Sequence, residues 1–351
     1  AGRIEMTELV AGPAGRPGRP FGTVLTAMVT PFDSNGQLDV EKVGALAERL
    51  VDQGSDGILV NGTTGESPTT TDAEKAAIVR QAVQAVGDRA TVITGVGTYD
   101  TAHSIHLARQ AEAAGAHGAL IVSPYYSRPQ QAGLLAHFRA VADASSLPVM
   151  LYDIPPRAVV QIEPNTLIEL AHHPRITAVK DAKGDLYAGS RVLAATDLAY
   201  YSGDDPLTLP WMSVGGVGVV SIISHVVGPY LRAMVDAALA GDYITARAIH
   251  LALMPAHRAM SRTGGGAGLV FAKAALALAG FPVGQPRLPQ IPATAEQTAR
   301  IESDLAELTP LAEILATAGA RADTASSTAN NEDMANNKDM RSSTPTAGAA
   351  R

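Results

Sequence analysis

The sequence predicts a (β/α)8 barrel, in which eight parallel strands form a closed ring inside a layer of helices, followed by a C-terminal helical region. Short β-branched runs alternate with Ala- and Leu-rich segments of helical period eight times along the chain. The strand candidates are continuous apolar runs, which are typical of parallel strands buried on both faces. No G-x-G-x-x-G motif follows a strand at the start of a helix, which disfavours an open, doubly wound sheet.

The elements follow from apolar periodicity and from residues that start helices. The predicted strands are Val24–Thr30, Gly57–Val60, Thr91–Gly95, Gly118–Ser123, Pro148–Tyr152, Ile176–Lys180, Ala199–Ser202 and Gly218–Ile223. The predicted barrel helices are Asp39–Gln53, Asp72–Val86, Thr101–Ala114, Gln131–Ala144, Pro164–Ala171, Leu186–Ala195, Pro206–Val214 and Pro229–Ala240. Asp39, Thr71 and Asp100 stand where N-caps belong.

Composition divides the chain into four segments. We expect a flexible N-terminal extension over 1–20, the barrel over 21–240 and a C-terminal helical region over 241–320, with helices near 242–262, 266–279 and 294–317. Residues 321–351 contain almost no large apolar side chains, so burial cannot offset their ordering entropy. They are predicted to be disordered.

Charge and hydropathy exclude several classes of protein. The 351 residues carry a net charge of −7, without a basic stripe, which argues against nucleic-acid binding. The chain has no cysteine, so disulfides and thiolate chemistry are excluded. The longest apolar stretch, 209–227, is interrupted by Gly, Ser and His, and the first twenty residues hold no signal-like apolar run. We therefore expect no membrane association and a cytoplasmic location.

Active sites of such barrels lie at the C-terminal ends of the strands, and Lys180 is the most informative residue there. It closes the apolar run Ile176–Val179, where the barrel is narrow and poorly hydrated. Desolvation lowers the pKa of a lysine and yields the neutral amine that attacks a ketone. The alternative is a structural lysine paired with Asp181 or Asp153.

Other strand ends supply further polar groups. Tyr152 ends the neighbouring strand and is predicted to relay protons, or else to be a core aromatic residue. The loop 62–65, Gly-Thr-Thr-Gly, offers amides and hydroxyls suited to a carboxylate; alternatively it only caps a helix, with Glu66 as a local cap. Gly203 lets the backbone approach a ligand closely, whereas Asp204 and Asp205 are interpreted as a turn and helix cap.

Metal and phosphate chemistry is not indicated. The histidines at 103, 106, 117, 137 and 225 lack metal-ligand spacing, so we expect no metal site. The glycine run at 264–266 follows no predicted strand and is not interpreted as a phosphate loop.

Together the strand ends resemble the dihydrodipicolinate synthase family, within the pyruvate-dependent aldolases and lyases. The resemblance covers about residues 22 to 319, and segment 97–105 is similar to actinobacterial members. The matching strings are Thr30-Pro31-Phe32, Gly62-Thr63-Thr64-Gly65-Glu66-Ser67, Pro124-Tyr125-Tyr126, Tyr152 with Pro155 and Arg157, Val179-Lys180, and Ser202-Gly203-Asp204-Asp205.

The resemblance implies an activity: condensation of pyruvate with L-aspartate 4-semialdehyde through an imine on a lysine. It implies that Lys180 is this lysine, and that Tyr152, Thr63 and Tyr126 form a proton relay, with Tyr126 reaching into a neighbouring subunit. Thr64 and nearby amides would bind the pyruvate carboxylate. No cofactor is implied, and the assembly would be a homotetramer built as a dimer of dimers.

Three further positions follow from the same resemblance. The Gly203 carbonyl and Val220 would line the pyruvate pocket. Arg157 would bind the carboxylate of the second substrate; without the family context it is equally a rim ion pair with Asp153. The enzyme alternative is a related lyase acting on a sugar acid, such as an N-acetylneuraminate lyase. A barrel kept only as a binding subunit would be expected to lack Lys180, Tyr152 or Thr63.

One departure from the family bears on regulation. Members that lysine inhibits bind it at a subunit interface with Ser, His, His, Asn, Glu and Tyr side chains. The corresponding positions here are Ser67, Asp72, Lys75, Tyr99, His103 and Tyr125. The carboxylate that would pair with the lysine ammonium is missing, so we expect weak or absent inhibition. Asp153, where many members carry Asn, is a second departure.

Overall fold

The computed structural model describes residues 18–264 and 268–318, and it contains the predicted closed barrel of eight parallel strands in sequential order. The predicted N-terminal extension and polar tail lie largely or wholly outside these residues, as do two members of the 264–266 glycine run. The strands are β1 Val24–Ala27, β2 Gly57–Val60, β3 Thr91–Gly95, β4 Gly118–Val122, β5 Val149–Asp153, β6 Ile176–Asp181, β7 Ala199–Ser202 and β8 Gly218–Ser221.

The barrel closes between β1 and β8, and both strands are shorter than predicted. After Ala27 the chain leaves the strand, and the Val29 amide donates to a histidine nitrogen, Nε2 of His225. Strand β8 stops at Ser221 because the amides of Ile222 and Ile223 donate to the Asp205 carboxylate instead of to carbonyls of a neighbouring strand. Apolar composition alone cannot distinguish these residues from strand residues.

Helices fill the connections between strands and continue after β8. They are α1 Val40–Asp52, α2 Asp72–Val86, α3 Thr101–Ala113, α4 Gln131–Ala142, α5 Pro155–Ala158, α6 Pro164–Leu170, α7 Leu186–Leu193, α8 Thr208–Ser213, α9 Ser224–Leu239, α10 Tyr243–Ala252, α11 Met254–Ser261, α12 Leu269–Leu278 and α13 Ala295–Ala306. A further helix covers 311–318, and 3-10 turns cover Ser67–Thr69 and Asp205–Leu207. The side chains of Asp39, Thr71 and Asp100 accept N-capping hydrogen bonds, as predicted.

Three predicted helices differ from those observed. The helix predicted from Pro229 begins at Ser224 and carries a kink at Val227 instead of starting at the proline. The segment 242–262 is two helices, because Pro255 lies at the start of α11. The segment 294–317 also divides, with a break before the helix at 311–318.

Buried side chains fill the barrel interior at the N-terminal end of its strands. Phe21 closes this end, and the Tyr201 hydroxyl donates to the Gly22 carbonyl at 2.9 Å. The filling leaves no room near Gly118, where an added Cβ would lie 2.4 Å from the Phe21 ring. A second apolar layer lies between strands and helices. With one end plugged, the C-terminal end is the accessible one.

Candidate active site

Lys180 lies at the C-terminal end of β6 with only 5% of its surface exposed. Its strand partners in register are Tyr152 of β5 and Tyr201 of β7. The ammonium nitrogen is 4.2 Å from the centre of the Tyr152 ring. Burial lowers the pKa of Lys180 to about 7, with the charge of Asp205 opposing the shift and that of Arg157 adding to it. The side chain is therefore substantially neutral near pH 7.

The structure rules out Lys180 as a partner of Asp153 or Asp181. Asp153 is fully buried and pairs with Lys183 at 3.1 Å, and its second oxygen accepts from the Ile162 amide at 3.0 Å. One Asp181 oxygen accepts from the amides of Lys183 and Gly184. Within the described ranges, no carboxylate lies at ion-pairing distance from Lys180. Its amine is thus free of the interaction that would keep it charged.

These contacts show how the structure accommodates Asp153, at a position where many family members carry Asn. Asp153 and Lys183 form an ion pair on the outer side of the strands, with the Lys183 side chain 10% exposed. Through Ile162 the same carboxylate holds the segment that follows α5, the short helix that carries Arg157. The buried charge of Asp153 is therefore balanced by its neighbour Lys183. Lys183 was not among the predicted site residues.

Asp205 is not the helix cap predicted for it. It is buried, and one oxygen accepts from the Ile222 and Ile223 amides at 2.9 and 3.2 Å, which connects β7 to the end of β8. Burial raises its pKa, and hydrogen bonds from Ser221 and these amides oppose the rise. Asp204 is exposed and its side chain makes no capping bond. Asp205 is instead the carboxylate whose field acts on Lys180.

Tyr152 is a buried core residue whose polar end faces the site. Burial raises the pKa of its phenol to about 12, while the charge of Arg157 and a hydrogen bond with Thr63 act in the opposite direction. The phenol therefore keeps its proton at neutral pH. Because its ring packs against Lys180 and its hydroxyl interacts with Thr63, Tyr152 connects the amine to the loop after β2.

The loop after β2, residues 61–66, has an unusual backbone. Asn61 and Glu66 adopt positive φ values of 54° and 58°, which are uncommon for residues other than glycine. Thr64 is buried, Thr63 is half-buried, and the Gly65 carbonyl accepts from the Thr30 hydroxyl at 2.6 Å. The loop is thus held against the end of β1, with both threonines at the C-terminal end of the barrel.

Glu66 does not cap the helical turn that follows it, so the alternative interpretation of the loop as a cap is wrong for this residue. Its side chain makes no capping bond to the 3-10 turn that follows. It pairs instead with Lys273 of α12 at 2.8 Å. Sequence alone gives no signal for a contact between residues more than two hundred positions apart.

Gly203 and Val220 complete the wall around the amine. The Gly203 amide donates to the Asp181 carbonyl at 2.6 Å, and a Cβ at Gly203 would lie 3.0 Å from Lys180 Cγ. The absence of a side chain at Gly203 therefore leaves room for the Lys180 side chain. Val220 is 1% exposed and belongs with Tyr152 to the apolar cluster of the barrel interior.

Two predicted site residues lie apart from the others. Tyr126 is 89% exposed with a φ of 70°, so this chain alone does not bury it in the site. Arg157 is exposed on α5 and makes no ion pair with Asp153, which Lys183 occupies. Its charge nevertheless reaches the site, since it lowers the pKa of both Lys180 and Tyr152.

Four of the six positions compared with the lysine-binding residues contact one another in pairs, and a fifth, Lys75, binds elsewhere. The Asp72 carboxylate lies 3.0 Å from His103 Nε2, and the buried Lys75 ammonium donates to the Thr70 carbonyl at 2.5 Å. Tyr99 and Tyr125 pack edge to face with ring centres 5.5 Å apart. Lys75, the one lysine among these positions, therefore points into the protein.

The described residues contain neither a metal-binding cluster nor a membrane-spanning helix. Over 18–264 and 268–318, no group of three or more His, Cys, Asp or Glu side chains is arranged to hold a metal ion. Over the same ranges, no helix combines the length and the apolar character needed to cross a bilayer.

Comparison with known proteins identifies the family. The sequence model of the dihydrodipicolinate synthetase family matches residues 20–308. The chain belongs to this family. Relatives named 4-hydroxy-tetrahydrodipicolinate synthase include those of Acidothermus cellulolyticus, 59% identical over 82% of this chain and 92% of the relative, and Mycolicibacterium gilvum, 57% identical over 81% and 93%. The resemblance to actinobacterial members is thus confirmed.

Solved structures of the family agree with the fold. Dihydrodipicolinate synthase from Bacillus anthracis is 41% identical, with a TM-score of 0.79, over 83% of this chain and 99% of that one. The enzyme from Cyanidioschyzon merolae, solved with lysine bound, is also 41% identical, with a TM-score of 0.79, over 82% and 98%. The predicted (β/α)8 barrel with added C-terminal helices is confirmed.

Proposed function

We propose that this member of the family condenses pyruvate with L-aspartate 4-semialdehyde to 4-hydroxy-tetrahydrodipicolinate, a lyase reaction in diaminopimelate and lysine biosynthesis. The observation that carries the proposal is the Lys180 amine, which is buried beside Tyr152, has a pKa of about 7 and has no carboxylate partner among the described residues. The names of relatives at 57% and 59% identity support this reaction over the sugar-acid alternative.

The chemistry requires only protein side chains, including one from a neighbouring subunit, and the two substrates. The neutral Lys180 amine attacks the pyruvate ketone to give a carbinolamine, which loses water to form a protonated imine. The imine accepts the electron pair when the methyl group loses a proton, giving an enamine. The enamine carbon bonds to the aldehyde carbon of the second substrate, whose own amine then displaces Lys180 and closes the ring. No cofactor enters this sequence.

Proton transfer is assigned to the hydroxyl groups around Lys180. Tyr152 and Thr63 donate to and accept from the carbinolamine, since imine formation needs an acid and a base. Tyr126 completes the relay from a neighbouring subunit, which accounts for its exposure in a single chain. The raised pKa of Tyr152 means that its phenol is protonated at neutral pH and enters the relay as a hydrogen-bond donor.

Substrate carboxylates are assigned to two different regions. Thr64 and the amides of the loop after β2 bind the pyruvate carboxylate, as charge-assisted hydrogen bonds from preformed donors do. The Gly203 carbonyl and Val220 line the pocket beside the amine. Arg157, unpaired within the described residues and at the rim, binds the carboxylate of aspartate semialdehyde.

Assembly, location and segment boundaries complete the proposal. A relay that takes Tyr126 from a neighbour needs at least a dimer, and we assign a homotetramer built as a dimer of dimers. We assign the cytoplasm, with no nucleic-acid or membrane partner. The barrel ends at about 240, the C-terminal helices form its appendage to about 320, and the terminal segments 1–20 and 321–351 lie outside both.

Substrate choice is tested by comparing acceptors in one assay. With pyruvate constant, we expect consumption to depend on aspartate 4-semialdehyde and to be undetectable with N-acetylmannosamine or glyceraldehyde. Turnover of a sugar acceptor at a comparable rate would assign the chain to the alternative lyases. Lys180→Ala serves as the inactive control.

Replacing Tyr152 by phenylalanine tests the proton relay. The ring packs in the barrel interior, so Tyr152→Phe should fold with little change in melting temperature. We expect kcat to fall about a hundredfold or more, the usual contribution of general acid–base catalysis. A folded variant within about threefold of the wild-type kcat would contradict the assigned role.

Lysine should inhibit weakly or not at all. The ligand's ammonium would find no free carboxylate, because Asp72 is already engaged by His103, and the buried Lys75 adds a positive charge nearby. We expect less than half-inhibition at about ten millimolar lysine, since an unpaired buried charge costs several kcal/mol. Half-inhibition at submillimolar lysine in a steady-state assay would show the expectation to be wrong.

A further inference from the structure

We propose that Lys273 and Arg287, in the region after the barrel, are positioning residues that hold the loop after β2 in the conformation that binds the pyruvate carboxylate. The proposal rests on the proposed function, which assigns that loop its substrate. Neither residue lies among the strand ends from which a barrel's reacting groups are drawn.

The first contact is a buried ion pair at the end of the loop. Lys273 Nζ lies 2.8 Å from Glu66 Oε1, and the two side chains are 4% and 2% exposed. The second Glu66 oxygen accepts from the Arg287 amide at 2.8 Å. Both oxygens of a residue next to Gly65 are therefore fixed by the C-terminal region.

The backbone at Glu66 requires such a restraint. Its φ of 58° is a conformation that residues with a side chain adopt at a cost, and it persists where surrounding contacts determine it. A buried ion pair adds little net stability compared with apolar packing, because desolvation offsets the attraction. What it supplies here is a fixed location for the carboxylate, and hence for the residues just before it.

Arg287 holds the other side of the same segment. Its guanidinium binds both oxygens of Glu74 at 2.6 and 3.0 Å and donates to the Thr69 carbonyl at 2.8 Å. The chain from Glu66 to Glu74, which leads from the loop into α2, is therefore attached at both ends. Arg287 thus acts on the loop through the backbone that follows it.

The same two cations also contact Phe32, in the segment that follows β1. Lys273 Nζ and Arg287 Cζ lie 4.4 and 4.2 Å from the centre of the Phe32 ring. The Phe32 amide donates to the Val283 carbonyl, and Gly284 approaches so closely that a Cβ would lie 2.0 Å from the Phe32 carbonyl oxygen. Residues 273–287 therefore hold together the segments that follow the neighbouring strands β1 and β2.

Two variants and one control test this role in the full-length protein. Lys273→Met leaves Glu66 without its cation, and Arg287→Met removes the guanidinium while keeping the backbone amide. Asp304→Asn is the matched control, because Asp304 is a 5%-exposed carboxylate that pairs with Arg258 and Arg262 in the same C-terminal region. The readout is the pyruvate concentration that half-saturates borohydride capture on Lys180, together with the melting temperature.

We expect Lys273→Met to raise the half-saturating pyruvate concentration about tenfold and Arg287→Met about threefold, since small displacements of positioning groups weaken binding strongly. The adduct at saturating pyruvate should stay near one per chain. Asp304→Asn should lower the melting temperature while keeping the pyruvate concentration within about twofold of wild type.

An unchanged half-saturating concentration in folded Lys273→Met would overturn the proposal, as would a control that shifts it equally. If Lys273→Met does not fold, Arg287→Met decides by the same criterion, because its side chain is partly exposed. Absence of any adduct in the wild type would instead overturn the proposed function, and the positioning role with it.

Discussion

The proposed chemistry depends on keeping water and carboxylates away from one amine. Lys180 is buried at the end of β6, and desolvation is the main cause that lowers its pKa to about 7. A partner carboxylate at the same place would favour the ammonium and remove the nucleophile. The negative charge of Asp205 opposes this lowering of the Lys180 pKa, but its carboxylate is bound by the amides of Ile222 and Ile223 at the end of β8.

The surrounding charges are arranged consistently with that constraint. Asp153 and Asp181 lie next to Lys180 in the sheet, yet their oxygens bind Lys183 and backbone amides on the outer side of the strands. Successive side chains of a strand point to opposite faces, so Lys180 and its sequence neighbour Asp181 face different environments. Strand β6 thereby separates the buried amine from the acidic groups that would favour its charged form.

The barrel and the placement of Tyr152 and Lys180 on neighbouring strand ends were predictable because their signals are local. Apolar runs ending in Tyr152 and Lys180 can be read without knowing any tertiary contact. The Glu66–Lys273 pair, the Lys183–Asp153 pair and the Asp205 contact were not predictable, since each joins segments whose proximity only the folded chain creates. Tyr126 shows a related limit, because its predicted place lies in another subunit.

The most direct measurement of the central claim is the pH dependence of imine formation on Lys180. At low pyruvate, the rate of the borohydride-trapped adduct should rise tenfold per pH unit below the pKa, reach half its maximum near pH 7 and level off above it. A rate that keeps rising toward pH 10, the range of an ordinary lysine, would contradict the account, as would an adduct on any other residue.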